Sequence, residues 1–171
     1  PVADFTVDSL NVVGGKVIGV RQTGALGESY VVDVFPDGPS VTITANIPAA
    51  AVHDKVENAN LASNSVSVTY DTVLPIIESL SSPAANPTNQ SPIPFTAVFS
   101  EEVFGFSLGS LNVAGGSPVD LVVVSGKEYT FSIVPASSSA SVQVGIQGGM
   151  VSDLAGNRNV AAKQAFISYD T

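Results

Sequence analysis

The chain has 171 residues, of which 12 % are charged, with 15 glycines, 11 prolines, no tryptophan and no cysteine; an average soluble domain carries roughly 25 % charged residues. Without cysteine there are no disulfides, thiolate zinc sites or thiol nucleophiles. The net charge of −9 sets the surface against phosphate backbones and anionic lipid, which argues against nucleic-acid binding. No apolar run approaches the length of a membrane span and no signal peptide opens the chain, so membrane insertion is not expected. The acidic surplus has two readings, plain solubility or carboxylates that gather divalent cations.

The residues favour pleated strands joined by turns, and only the short run Ala49-Ala50-Ala51-Val52 hints at helix. In chain order, Ser9-Leu10-Asn11-Val12-Val13 reads as a strand closed by the turn glycines Gly14-Gly15. Val41, Ile43, Ala45 and Ile47 alternate with Thr42, Thr44 and Asn46, and a further strand ends at Tyr70. Then come seven strands over about 75–81, 92–100, 108–113, 118–125, 127–134, 140–147 and 163–169. Ile93, Phe95, Ala97 and Phe99 alternate with Pro94, Thr96 and Val98; Tyr129, Phe131 and Ile133 alternate with Thr130 and Ser132; Val142, Val144 and Ile146 alternate with Ser141, Gln143 and Gly145. Period-two alternation buries one face and wets the other, as in two packed antiparallel sheets. The tyrosines Tyr30, Tyr70, Tyr129 and Tyr169 fall on the inward positions, and Phe106 pairs with Phe5 as a core position.

The same unit is written nearly twice. Ser9-Leu10-Asn11-Val12-Val13-Gly14-Gly15 returns 101 residues later as Ser110-Leu111-Asn112-Val113-Ala114-Gly115-Gly116. Tyr30 and Pro36 match Tyr129 and Pro135 at a spacing of 99, which then holds to the end. Val52, Asp54, Asn58, Asn60 and Ala62 match Val151, Asp153, Asn157, Asn159 and Ala161, and Tyr70-Asp71-Thr72 matches Tyr169-Asp170-Thr171. A period near 100 residues is one sandwich domain per repeat. Extended backwards, the match sets Pro1-Val2 against Glu102-Val103, and nothing in the first copy corresponds to residues 73–101. We therefore expect residues 1–72 to be a repeat lacking its first two strands and 73–171 to be a complete seven-stranded repeat, the whole being all-β tandem immunoglobulin-like antiparallel β-sandwiches. The missing strands come either from sequence upstream of an excerpt boundary at Pro1 or from another chain that adds a strand. Between copies there is almost no linker, and Pro75 holds the residue before it extended, so a stiff junction is expected.

The run Pro92-Ile93-Pro94-Phe95-Thr96-Ala97-Val98-Phe99-Ser100-Glu101-Glu102-Val103, then Ser110-Leu111-Asn112-Val113, Tyr129-Thr130-Phe131, Val151-Ser152-Asp153-Leu154-Ala155-Gly156-Asn157 and Tyr169-Asp170-Thr171 resembles the bacterial Ig-like repeats of large surface adhesins. The resemblance covers residues 73–171, and 1–72 as a truncated copy. It implies a non-catalytic extracellular or cell-surface structural protein, a rod, stalk or filament used in adhesion, whose neighbours are further repeats of the same protein. The rival expectation is a glycan-binding module of a secreted enzyme. Such modules usually stack sugars on exposed aromatic rings, for which Phe104 and Phe106 are the clustered candidates.

In this topology the loop after the second strand carries Glu101 and Glu102, the loop before the last strand carries Asp153 and Asn157, and Asp71 lies in the entry linker. Calcium takes six to eight oxygen ligands at about 2.3–2.6 Å, and these five residues are the candidate set. The resemblance points the same way, since adhesin repeats and the similar cadherins are often stiffened by interdomain calcium. The competing reading has Asp153 and Asn157 bonding their own loop, with no cofactor required. The first copy keeps Asp54 and Asn58 but has Lys55-Val56-Glu57 in place of Leu154-Ala155-Gly156, so the second copy is the better candidate. His53, the single histidine, has Ser152 as its counterpart and no Ser or Cys arrangement around it, so no catalytic role is expected. Asn89-Gln90-Ser91 is an N-glycosylation acceptor if the source is eukaryotic.

Overall fold

The computed structural model describes residues 2, 4–24, 28–160 and 163–171; Pro1 and Ala161, which enter the repeat, lie outside them. The chain divides into two compact units, Pro1–Val73 and Leu74–Thr171.

The first unit contains β1 (Asn11–Val13), β2 (Gly15–Gln22), β3 (Tyr30–Pro36), β4 (Ser40–Asn46) and β5 (Val66–Asp71). They form a three-stranded sheet in the order β1-β4-β5 and a two-stranded sheet β2-β3. The second unit contains β6 (Ile77–Ser81), β7 (Ile93–Phe99), β8 (Leu111–Ala114), β9 (Gly116–Val123), β10 (Glu128–Pro135), β11 (Ser139–Ile146) and β12 (Gln164–Asp170). One of its sheets has the order β6-β7-β10-β9 and the other β12-β11-β8. All pairings between named strands are antiparallel. The sheets of the first unit thus repeat those of the second minus β6 and β7. The architecture is an Ig-like β-sandwich.

The strand expected over 108–113 begins with a 3-10 turn at Leu108–Ser110. The hydroxyl of Ser110, 3 % exposed, accepts the Ser107 backbone N–H at 3.2 Å, and that inward bond curls the chain before β8 can start. The first unit has the same turn at Val7–Ser9, with the Thr6 N–H donating to Ser9 Oγ at 3.0 Å.

Gly14 and Gly115 connect β1 to β2 and β8 to β9, carrying the chain from one sheet to the other. Their φ angles are +79° and +75°, in the left-handed region that favours glycine. A Cβ at either would collide with a backbone carbonyl, that of Thr42 or of Ser141. Both the conformation and the close approach demand glycine.

The alternating residues of β7, β10 and β11 make the core of the second unit. Ile93, Ala97, Ile133, Val142, Val144 and Ile146 are each 0 % exposed. Phe95 stacks on Phe131 with ring centroids 5.8 Å apart. Phe106 is buried, as expected, and packs on Phe99, Tyr129 and Phe131. At roughly 1.5–3 kcal/mol per large apolar side chain, this burial is what offsets the unit's chain entropy.

The first unit differs. Its inward residues on β3 and β4 are only half-buried, and Tyr70, expected in the core, is 40 % exposed. Its counterpart Tyr169 packs against the core and is bridged by Thr88 from the β6–β7 loop. The first unit has no equivalent of that loop, so periodicity alone could not bury Tyr70.

Candidate functional site

The loop before β12 is built around Asp153, which is 5 % exposed. Its Oδ1 accepts the Asn157 backbone N–H at 2.8 Å and its Oδ2 accepts the Asn157 side-chain amide at 2.9 Å. The backbone closes the turn reciprocally, with the Asp153 N–H donating to the Asn157 carbonyl at 3.1 Å and the Gly156 N–H to the Asp153 carbonyl at 3.3 Å. Burial works against ionisation of Asp153. The hydrogen bonds from Asn157, Gly156 and Ala155 outweigh it and hold the carboxyl below its ordinary pKa.

The first unit repeats this loop. Asp54 Oδ1 accepts the N–H groups of Val56 and Asn58 at 2.9 Å each, and Oδ2 accepts the Asn58 amide at 3.0 Å. Those bonds, that of the Asn58 side chain foremost, hold Asp54 below the ordinary carboxylate value. Asp and Asn are therefore the two ends of one turn in both copies.

Glu101 follows β7, and its carboxylate oxygen lies within 4.8 Å of one from Asp153. Two carboxylates from separate loops of one unit converge there, the kind of oxygen-rich corner a hard divalent cation takes. Glu102 points elsewhere. Its side chain is exposed and lies against Gly126, so adjacent residues in one loop serve different surroundings. Asn157 presents its amide N–H to Asp153. Asp71 ends β5 of the first unit, pairs in register with Ser40, and accepts the Val73 N–H at 3.0 Å. Asn89 is exposed in the loop between β6 and β7.

His53 is tied to Asp4. Its backbone N–H donates to Asp4 Oδ1 at 2.8 Å, and its Nδ1 lies 3.1 Å from Oδ2. The backbone bond is the main cause of a lowered Asp4 pKa. This pair fastens the chain before β1 to the loop after β4. Phe104 is 47 % exposed and lines an open cavity of about 250 Å³ with Met150 and Arg158.

Sequence reading matched Asn60 with Asn159 but gave them no role. Asn159, 3 % exposed, accepts the N–H groups of Met150 and Val151 on Oδ1 at 2.9 and 3.1 Å. Its amide donates to the carbonyls of Gln147 and Val160 at 3.0 and 3.4 Å. Asn60 makes the same four bonds, to the N–H groups of Ala51 and Val52 and the carbonyls of Pro48 and Leu61. An asparagine recurring in register is the signal that marks this clamp: only an amide supplies both acceptor and donors there.

Among the described residues no helix is long and apolar enough to cross a membrane. The chain matches no curated protein. A family model for the bacterial Ig-like domain, a type of structural, surface-associated and generally non-catalytic module, matches residues 71–169. That span is more than half of the chain and carries the motifs on which the resemblance rests. With the antiparallel sandwich and its glycine crossovers in place, the chain belongs to the bacterial Ig-like domain family.

Proposed function

We propose that this chain is a structural segment of an extracellular surface protein, in which successive sandwich modules joined without a spacer form a stiff, load-bearing stalk. The observation that supports this reading is the doubled module. Two consecutive units share five strands in the same sheet arrangement, the same glycine crossover and the same Asp/Asn loop, and only residues 72–76 separate β5 from β6. Pro75 in that stretch restricts the residue before it to extended conformations. The side chains that recur in register are core residues such as Val52 and Val151, turn glycines and the Asn clamp, all of which hold the shape of the module. Antiparallel strands resist extension through their cross-strand hydrogen bonds, so such a module suits tension.

The test is a spin-label distance measurement, with one label on an exposed strand position of each unit, for example Thr42 and Ser141. A stiff junction gives a narrow distance distribution. A broad distribution like that of a flexible linker would overturn the stalk. Within the second unit, Glu101 and Asp153 are the residues we propose to hold calcium.

A further inference from the structure

At one end of the second unit three segments lie side by side, Phe104 pairing with Ser152 and Ser152 with Arg158, both antiparallel. The Phe104 N–H donates to the Ser152 carbonyl at 2.7 Å, and the Ser152 N–H donates to that of Phe104 at 3.2 Å. Residues paired in register face the same way. Their chain neighbours Val103, Val151, Asp153 and Asn159 are buried, so Phe104, Met150, Ser152 and Arg158 face outward. The backbones of Phe104 and Arg158 stand about 10 Å apart, two strand spacings. The small Ser152 is the floor between them, and these four side chains line the open cavity of about 250 Å³.

The first unit builds the same ladder. Val2 pairs with Asp54 and His53 with Ala59, in the register of Val103 with Asp153 and Ser152 with Arg158. Yet the first copy has Ala3, Ala51 and Ala59 where the second has Phe104, Met150 and Arg158. The loops therefore close without these three large side chains, and folding does not account for them. Of the described lining residues only Arg158 is ionisable. One of its guanidinium nitrogens donates to the Gly149 carbonyl at 3.3 Å, which holds the group at the rim. Among the described residues no carboxylate pairs with it and no ring packs on Phe104.

We propose that this cavity binds one acidic sugar residue, a uronic acid within a glycan. The apolar face of the sugar, whose C–H groups carry small positive charge, stacks on the negative face of the Phe104 ring. The sugar carboxylate meets the remaining N–H donors of Arg158, a planar fork that matches a carboxylate in geometry. The adaptable thioether of Met150 packs beside the ring, and the Ser152 hydroxyl can donate to or accept from a sugar hydroxyl. With a cation and no acid in its lining, the cavity selects for the one carboxylate that distinguishes a uronic acid from a neutral hexose. The proposal holds whether or not the modules form a stalk.

The test titrates the whole 171-residue chain with a tetrasaccharide of alternating glucuronic acid and N-acetylglucosamine, followed by NMR. The expected result is saturable shift changes centred on the amides of Phe104, Ser152 and Arg158. The same tetrasaccharide with its carboxylates reduced to alcohols should bind at least tenfold more weakly. Phe104→Ala and Arg158→Ala each introduce the residue of the first copy, so the unit should keep its fold, which unchanged Asn159 amide signals would report. Each should weaken binding at least tenfold, whereas Lys127→Ala, which removes an exposed cation elsewhere on the unit, should not. Absence of saturable shifts, equal binding of the reduced sugar, or an equal loss from Lys127→Ala would overturn the proposal. So would tighter binding of the peptide acetyl-Ala-Ala-Leu at the same amides, which would make a chain terminus the occupant.

Discussion

Glu57 and Gly156 occupy the same place in equivalent turns, and both are left-handed, with φ of +64° and +90°. Each donates its N–H to the carbonyl of the turn's Asp, at 3.1 and 3.3 Å. One copy uses the residue suited to that conformation and the other tolerates a Cβ in it, at a cost of roughly 1–2 kcal/mol.

Glu57→Gly should therefore stabilise the first unit, and Gly156→Ala should destabilise the second, each by about 1 kcal/mol. A Cβ at position 156 meets nothing within 4 Å, so the effect is one of backbone conformation alone. Urea unfolding of the two variants, followed unit by unit through NMR signals, checks both signs.

Asn159→Ala should cost about 3 kcal/mol, because it strands the buried N–H of Val151 and three half-buried groups, the N–H of Met150 and two carbonyls, where a fully buried group left unpaired costs roughly 1–3 kcal/mol. Asn60→Ala breaks the same four bonds where two of them are exposed to water and two half-exposed, and should cost less. Denaturant midpoints of the two variants measure the difference.

Ile133→Ala should destabilise the second unit by about 2–5 kcal/mol, the range for emptying a sealed core site. Its counterpart Val34 borders an open groove, so Val34→Ala should cost under ~1 kcal/mol. Equal costs would contradict the difference in burial between the two cores.

Asp54 and Asp153 both have folded pKa values lowered from 3.8. A lowered folded value means that the unfolded chain binds protons first. The stability these carboxylates contribute is thus fully present above the unfolded value, and is lost as pH falls through the folded one. Melting temperature should hold through mildly acidic pH and fall below about 3.8. Asp153→Asn should flatten that acid limb for the second unit.

If Glu101 and Asp153 hold calcium, adding the ion should raise the melting temperature of the second unit by several degrees, and a chelator should reverse this. A ligand bound only by the folded state must stabilise it. Glu101→Gln should abolish the response without altering the Asp153–Asn157 loop. Identical melting with calcium and with chelator would rule the site out.

The strands and the doubling of the module were legible in the residues, because both are local. Alternation over Ile93–Phe99 states which side of β7 is wet, and an Asp followed four residues later by Asn closes the turn in both copies. The family could be recognised for the same reason, since its motifs lie in the strands and turns themselves. Tertiary structure decided what depends on distant chain. It separates Glu101, beside Asp153, from Glu102, over Gly126, although the two are neighbours in sequence. It packs Tyr169 against the core, with Thr88 bridged to its strand, and leaves Tyr70 exposed at the equivalent strand position. It also makes Asn159 a four-bond clamp. Periodicity gives the direction in which a side chain points, but burial requires something on the other side, and that is supplied by strands far away in the chain.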